Sequence, residues 1–271
     1  MRRLTGGIVS TVHRVSVALP SGERRFVVLR QYDQDTESLI EREASALDAL
    51  APTAVPAPRL IAYDRGGAAT GGHPSLLMTR ERGRILLAPA DLGSWIEQLA
   101  SALVRIHALD IDAPPYARWS DITERPAPSS ARDRSLWAKV KRVLSAPPPE
   151  VAHTFIHRDF QHFNVLWARG RLTSVVDWAW ASRGPREVDV GHCRLNLAVL
   201  FGAPAADLFL ARYESLAGYS VDPWWDLQGL AGYSDEWQEF IPVQVAGRRA
   251  VDVAGMTERI EAVMRSTLAR L

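Results

Sequence analysis

The pattern of apolar residues changes near Gly83, and this change limits the folds that the chain can adopt. Before it, apolar and β-branched residues come in short runs typical of strands, such as 9–19 and 24–32, which "PSGE" could join as a hairpin. After it, stretches such as 94–109 place apolar residues on one face of a helix. We therefore expect an α+β protein in which a small β-rich part precedes a larger, mainly helical part.

The composition excludes several classes of function. The 271 residues include 32 basic and 31 acidic ones, and the formal net charge of +1 gives no field to attract nucleic acid or an anionic membrane. The single cysteine, Cys193, excludes an internal disulfide and is consistent with a reducing compartment. The first residues make a poor signal peptide, and no run of about 18 apolar residues occurs, so we expect a cytoplasmic protein. The sequence does not indicate an oligomeric state.

One predicted helix carries a charge on its apolar side. Over 36–50, a rotation of about 100° per residue places Glu43 within the apolar stripe, near Leu39 and Leu47. A buried carboxylate needs a cation, or it becomes protonated. Arg30, at the end of the strand "FVVLR", is the candidate partner, and the pair could present the cation to an anionic ligand. Alternatively, Glu43 lies at the edge of the stripe and reaches water.

The stretch "FIHRDFQHFNVLW" at 155–167 places several polar side chains between apolar, strand-like ends. Three interpretations compete: a turn whose polar groups are satisfied locally, a metal site, and a catalytic loop. The residues that follow predict a β-hairpin, and a two-residue turn at Gly170 and Arg171 would place Asn164 opposite Asp177. A longer turn would shift this pairing by a position or two.

An amide oxygen and a carboxylate at the open end of this hairpin suit Mg²⁺, which takes its other ligands from water and phosphates. Asp159, five residues before Asn164, would then be the free carboxylate beside the metal. Such a group can orient a hydroxyl and accept its proton.

These residues resemble a kinase site. "HRDFQHFN", with Asp177 following 13 residues later, is similar to the catalytic loop H-R-D-x-x-x-x-N and the metal-binding aspartate of kinases. No long activation loop follows, and "VVDWAWASRGPREVDVGH" is similar instead to the aminoglycoside phosphotransferase family. Upstream stretches match that family in the same order, so that the resemblance covers about residues 5–200. They are "LTGG", "EREASALDAL", "VPAPRLIAYD", "LLMTRERG" and "LVRIHALD".

The resemblance implies a bilobal, protein kinase-like fold. Its parts would be an N-terminal nucleotide-binding lobe at 1–78, a hinge at 79–83 and a C-terminal lobe at 84–271 for catalysis and acceptor binding. It also implies that ATP, or GTP, is the phosphoryl donor and that Mg²⁺ is the cofactor.

The resemblance further implies a role for each matching residue. Asp159 would be the catalytic base, and Asn164 and Asp177 would bind Mg²⁺. His157 would support the loop, and Asp189 would cap the next helix and brace the site. The nucleotide would contact Gly6, Gly7, Arg30, Glu43, Met78, Thr79 and Glu81.

The chain departs from the family pattern at two places. Arg158 stands where most members have glycine, and Gly6 and Gly7 form less than a full glycine-rich loop. The sequence alone gives no account of Arg158.

A stretch at 222–239 mixes acidic and aromatic side chains, which could hold a cationic, ring-bearing acceptor by charge and cation–π contacts. The alternative is a solvated amphipathic face. The candidate acceptor-binding residues are Asp226, Asp235, Glu236, Glu239, Trp225 and Trp237.

Together these features predict an ATP-dependent kinase of a hydroxyl on a small molecule, with an aminoglycoside or another cationic antibiotic as the first expectation. The acceptor alternatives are a macrolide or a metabolite such as choline, homoserine or a thiosugar, because a fold does not specify an acceptor. Two other classes stay open. One is a nucleotide-binding module without turnover, and the other is a metal-dependent hydrolase with His157, His162 and Asp159 around zinc.

Overall fold

The computed structural model describes residues 1–4, 10–33, 37–119 and 121–271. Within them, five strands form an antiparallel sheet in the order β1-β2-β3-β5-β4, and one helix packs beside it against β4 and β5. These elements are β1 (Arg2–Arg3), β2 (Ser10–Ala18), β3 (Arg24–Tyr32), α1 (Glu37–Leu50), β4 (Leu60–Asp64) and β5 (Ser75–Thr79).

The helix α1 buries the stripe that its periodicity predicts. Leu39, Ile40, Leu47 and Leu50 are all buried in the common core, and they hold the helix against the sheet. Glu43 lies among them with only 1% of its surface exposed. The carboxylate is therefore inside the protein, and it must find its partners there.

Seven helices among the described residues form the second part of the molecule, and none of them is long and apolar enough to cross a membrane. The central one, α4, is buried along most of its length and packs against α5, α6 and α8. They are α2 (Leu92–His107), α3 (Arg134–Leu144), α4 (Glu187–Phe201), α5 (Ala203–Ala217), α6 (Pro223–Leu230), α7 (Glu236–Val245) and α8 (Met256–Leu268).

The close packing of α4 on α6 depends on two glycines. A Cβ atom added at Gly229 would lie 2.6 Å from the backbone of Gly191, nearer than any side chain tolerates. Both helices border the cavities described below, so this contact sets the distance between the walls.

Two pairs of short strands carry the polar stretch that the sequence singles out. The strand β6 (His153–Ile156) pairs with β9 (Ser182–Pro185), and β7 (Val165–Ala168) pairs with β8 (Arg171–Val175). Each pair is antiparallel, and the loop between β6 and β7 holds the polar side chains.

The register of β7 and β8 differs from the sequence prediction. The turn consists of Arg169 and Gly170, whose φ angles of 52° and 74° are both positive, so it begins one residue earlier than expected. A bulge recovers one position, and the backbone N–H of Val176 donates to the carbonyl of Asn164 at 2.9 Å. The prediction that Asn164 lies directly opposite Asp177 was therefore wrong by one position.

The chain passes from the sheet to the helices directly after β5. Arg84 and Trp167 exchange two backbone hydrogen bonds, of 3.0 and 2.9 Å, so that the connecting segment lies against β7. The boundaries of the lobes, at 1–78 and 84–271, and the hinge at 79–83 stay predictions.

Candidate active site

The loop after β6 is held from beneath by Asp189. The backbone N–H groups of His157 and Arg158 donate to its carboxylate at 2.8 and 2.7 Å. Asp189 is fully buried, which by itself would raise its pKa, but hydrogen bonds from His107 and His157 lower the pKa below the usual value. The predicted capping of α4 was wrong, because Asp189 lies within the first turn and Arg186 occupies the N-cap position.

His157 ties the same loop to the strand that leads to Asp177. Its ring is fully buried, with its centroid 4.4 Å from that of Trp178, and Nε2 donates to the carbonyl oxygen of Val176 at 3.0 Å. One contact is between aromatic rings and the other is a hydrogen bond, and together they fix the position of the loop relative to the segment that leads to Asp177.

Arg158 has a backbone conformation that explains its departure from the family pattern. Its φ of 76° lies in the left-handed region, which costs a residue other than glycine about 1–3 kcal/mol. Glycine takes this conformation without strain, which gives the physical reason for glycine at this place in the family. Here the two hydrogen bonds to Asp189 hold the strained backbone.

The carboxylate of Asp159 faces a cavity and accepts hydrogen bonds on both oxygens. Nε2 of His192 and Nε2 of Gln161 donate to Oδ1 at 2.8 and 3.0 Å, and Nδ2 of Asn164 donates to Oδ2 at 2.9 Å. Burial would raise the pKa of Asp159, but the hydrogen bond and charge of His192, with the other donors, lower it below the usual value. The group is therefore an ionised, oriented acceptor of a proton.

Asn164 and Asp177 line the same cavity as Asp159, which has a volume of about 400 Å³. Asn164 uses its amide nitrogen for Asp159, at 2.9 Å from both Oδ2 and the carbonyl oxygen. Among the described residues no donor reaches the Asn164 Oδ1 atom, so this oxygen is available as a ligand. Asp177 has a φ of 70°, and its Oδ1 accepts a hydrogen bond from Arg30 at 2.6 Å.

The residues present fit the Mg²⁺ ion that the family resemblance implies. An amide oxygen and a carboxylate are hard ligands, and two of them leave room for water and phosphate oxygens. Among the described residues no group of three or more His, Cys, Asp or Glu could hold a metal ion by itself. The set thus suits an ion that arrives with its nucleotide.

Arg30 and Glu43 form the ion pair that the sequence predicts. The Arg30 Nη1 atom lies 2.9 Å from Oε1 of Glu43, and the Tyr32 hydroxyl donates to Oε2. Burial raises the pKa of Glu43, while the charge of Arg30 opposes the rise. The same Nη1 atom also reaches Asp177, so that one guanidinium links α1 to the candidate metal ligand.

The residues predicted to hold the nucleotide base lie at the end of β5. Met78 is buried in the core, and the Thr79 hydroxyl donates to Oε1 of Glu81 at 2.6 Å. Gly6 and Gly7 lie outside the described residues.

His162, the second histidine of the loop, is packed among aromatic rings. Neither ring nitrogen has a partner within the part of the chain that the structure describes, and burial lowers its pKa to about 3. The neutral ring contacts Trp95, Phe163 and Phe201.

The six candidate acceptor residues do not come together around Asp159. Asp226 is 0% exposed and is paired with Arg194 and Arg270 inside the helical part. Asp235 accepts hydrogen bonds from the backbone of Ser129 and Ser130, at 2.7 and 3.5 Å.

The aromatic members of that set divide in the same way. Trp225 is buried and donates to the Pro149 carbonyl at 3.1 Å. Trp237 lines the cavity of Asp159, Glu236 lines only an adjoining cavity, and Glu239 is exposed outside both. The acidic and aromatic residues of 222–239 are therefore mainly structural.

Three residues that sequence reasoning treated as structural, or did not assign, border the site instead. His192 donates to Asp159, and Trp119 and Trp180 line the cavity. Trp119 comes from the loop before α3 and Trp180 from the segment after Asp177. Their separation along the chain left no local pattern from which to predict that they meet.

The fold is the one found in kinase-like phosphotransferases. Residues 6–233 match the model of the phosphotransferase enzyme family, APH. The chain therefore belongs to this family, and it is a phosphotransferase. Among curated proteins, none matches the chain at a significant level.

Solved structures confirm the bilobal kinase-like fold. A candidate aminoglycoside phosphotransferase from Ralstonia eutropha JMP134 matches with a TM-score of 0.66 and 16% identity, over 99% of this chain and 91% of that one. APH(4)-Ia, solved with AMP-PNP and hygromycin B, matches with 0.63 and 18%, over 97% and 92%. A mutant of aminoglycoside 2'-phosphotransferase-IIIa, solved with GDP, matches with 0.62 and 15%, over 99% and 91%. At these identities the similarity concerns the fold.

Proposed function

We propose that the protein transfers the γ-phosphoryl group of ATP, with GTP as an alternative donor, to a hydroxyl of a small molecule. The observation that carries the proposal is the meeting of Asp159, Asn164 and Asp177 around one cavity, with Arg30 at its edge. Structures of the family fold that contain AMP-PNP or GDP support the choice of a nucleotide donor.

In this proposal the chain orients both reactants. Asp159 accepts the proton of the acceptor hydroxyl while that oxygen bonds to the γ-phosphorus and the bond to the β-phosphate oxygen breaks, which releases ADP. Asn164 Oδ1 and Asp177 would hold Mg²⁺, which would neutralise charge on the phosphates. Arg30, steadied by Glu43, binds phosphate oxygens, and the backbone from Thr79 to Glu81 holds the base.

The donor side of this proposal is better supported than the acceptor side. An aminoglycoside acceptor has support from the hygromycin B complex of APH(4)-Ia, whereas the metabolite and macrolide alternatives rest on the family alone. A nucleotide-binding module without turnover would have no use for Asp159, whose three side-chain hydrogen bonds keep it ionised and oriented. A zinc hydrolase would need ligands that the neutral, enclosed His162 ring does not supply.

The variant Asp177→Ala should weaken the binding of Mg-ATP at least about tenfold, because it removes one of two metal ligands. Binding of ATP without Mg²⁺ should stay the same or become tighter, since Arg30 loses a competing carboxylate. Isothermal titration with and without Mg²⁺ separates the two effects. Equal losses under both conditions would assign Asp177 a structural role instead.

The variant Glu43→Gln should weaken Mg-ATP binding roughly tenfold, because a buried hydrogen bond to a charged partner contributes about 1.5–3 kcal/mol. In this variant Arg30 keeps one carboxylate partner, Asp177, instead of two, so the position of its side chain is no longer fixed. The matched control is Glu41→Gln on the exposed side of the same helix, where Glu41 pairs with Arg65 at the surface. Identical affinities for the two variants would count against the role of the buried pair.

A further inference from the structure

A second cavity, of about 220 Å³, adjoins the one that contains the candidate metal ligands. Trp119, His192 and Trp237 line both of them, so the two cavities share a wall formed by these three side chains. Asn164 and Asp177 line only the first cavity. Asp159 also lines only the first cavity. The second cavity is therefore free of the candidate metal ligands and meets the first at His192, the residue that donates to Asp159.

Arg158 brings a buried positive charge into this second cavity. Its side chain is only 6% exposed, and its guanidinium stacks between the rings of Tyr116 and Trp119, at 4.7 and 3.7 Å from their centroids. Within the described structure the guanidinium donates one hydrogen bond, from Nη2 to the carbonyl oxygen of Ala117 at 3.2 Å.

That hydrogen bond uses one of the five N–H donors of a guanidinium. No carboxylate within the described ranges lies close enough to Arg158 to form a salt bridge, although a charge buried to this degree is normally paired. Arg158 is thus a mostly buried cation that has only longer-range attraction from Asp189 and Asp159, and its remaining donors have no partner among the described residues. It lines the cavity that adjoins the one of Asp159. An anionic group of a ligand would complete its set of contacts.

Two exposed guanidinium groups also line these cavities. Arg125 lines the second cavity and Arg248 lines the first, both with exposed side chains, and Glu236 is the one acidic residue that lines the second cavity among the described residues. Over the two cavities the basic lining residues are Arg30, Arg125, Arg158 and Arg248, and the acidic ones are Asp159, Asp177 and Glu236. In the second cavity alone, a polycationic acceptor would face two guanidinium groups and one carboxylate. This charge distribution disfavours an aminoglycoside and favours an anion.

Aromatic side chains line both cavities. Trp119 and Trp180 meet edge to face with their centroids 5.7 Å apart, and Trp237 and Phe240 do the same at 5.0 Å. Trp119 is half exposed, which leaves ring surface free to cover a ligand. Such surfaces hold flat, apolar rings at little cost in conformational entropy.

We propose that the acceptor is a hydroxyl compound with a flat ring and an anionic group such as a carboxylate, its anion on Arg158, its ring between Trp119 and Trp237, and its hydroxyl at Asp159. This inference rests on the proposed function, and it makes that function more specific by naming the class of acceptor. It replaces the cationic acceptor that the sequence suggested.

The test uses the full chain with Mg-ATP and four acceptors. Three share one ring and differ in charge: 4-(hydroxymethyl)benzoate, its neutral amide 4-(hydroxymethyl)benzamide, and the cationic 4-(aminomethyl)benzyl alcohol. The fourth is the aminoglycoside hygromycin B. ADP release gives kcat/KM, and mass spectrometry identifies the phosphate ester. We expect kcat/KM for the benzoate to exceed that for the amide at least about tenfold, and that for the amine by a larger factor.

The variant Arg158→Gly removes the cation and suits the positive φ at this position, so the fold should persist. It should reduce the preference for benzoate over amide to less than about threefold and leave the KM for ATP unchanged. Arg158→Lys should keep part of the preference, since it keeps the charge and loses the planar fork. The control is Arg212→Gln, which alters a surface arginine paired with Glu97 on α2.

Three outcomes would overturn the proposed acceptor class. They are a higher kcat/KM for the amine or hygromycin B than for the benzoate, an unchanged ranking in Arg158→Gly, and Asp159-dependent ADP release without phosphorylation of any of the four compounds. A rise in the KM for ATP in Arg158→Gly would assign the guanidinium to the nucleotide instead, which also contradicts the proposal. Failure of the proposed function looks different: Mg-ATP does not bind, or ADP release does not depend on Asp159.

Discussion

Asp159→Ala is expected to lower kcat by roughly 10³-fold while binding of Mg-ATP stays within about twofold of the wild type. The loss follows because Asp159 is the carboxylate that His192 and Asn164 orient by hydrogen bonds. The other carboxylate that lines this cavity among the described residues, Asp177, is assigned to the metal and cannot replace it. Steady-state ADP release measures the first effect and isothermal titration the second.

The pH dependence provides an independent check on the same residue. Because His192 and the other donors lower the pKa of Asp159, the carboxylate stays ionised below the usual aspartate value of about 3.9. The limiting rate should then not fall with the ionisation of Asp159 until the pH drops below that value. Asp121→Ala, which removes an exposed aspartate outside the cavity, is the control and should keep full activity. Unchanged turnover in Asp159→Ala would remove the base from the mechanism.

The sequence predicts the general architecture and the donor side of the site because both depend on short-range patterns. Strand and helix periods report which residues are buried, and the position of Glu43 in the stripe of α1 was enough to predict its pairing with Arg30. The spacing within "HRDFQHFN" likewise places Asp159 and Asn164 on one loop, where a hydrogen bond of 2.9 Å joins them.

The register of the hairpin at the site was harder to predict because it depends on turn geometry. Both Arg169 and Gly170 adopt positive φ. Positive φ is uncommon in residues other than glycine, so the sequence does not indicate it at Arg169. An error of one residue in a turn changes the partner of every residue along the strand. The expected convergence of Asn164 and Asp177 survives, since both line one cavity despite the shift.

The acceptor side could not be predicted because its residues come from separate segments. Trp119 lies on the loop before α3, Arg158 on the loop after β6 and His192 on α4. Only the folded chain brings them within ring-contact distance. Conversely, Asp226 and Trp225 look like ligand-binding residues in the sequence, but they are buried structural residues. Composition within one stretch does not reveal which side chains face inward.

The largest effect on stability is expected at Asp189. Replacing it by alanine leaves the N–H groups of His157 and Arg158 without their acceptor and removes the hydrogen bond from His107. Since each buried donor left without a partner costs about 1–3 kcal/mol, the free energy of unfolding should fall by roughly 3 kcal/mol or more. Urea denaturation measures this fall, and kcat should also drop in the folded fraction because Arg158 can relax from its φ of 76° and displace Asp159.

The control for this variant is Asp110→Ala, which removes an exposed aspartate whose salt bridge to Arg183 lies at the surface, and it should change stability by less than about 0.5 kcal/mol. The pH dependence distinguishes the charge of Asp189 from its shape. Its pKa is lowered in the folded state, so its contribution is complete above the unfolded pKa of about 3.9 and is lost as the pH falls through the folded value. The difference in stability between the wild type and Asp189→Asn should therefore be constant near neutral pH and narrow in acid. A difference that does not change with pH would show that the shape of the side chain, rather than its ionised hydrogen bonds, supports the catalytic loop.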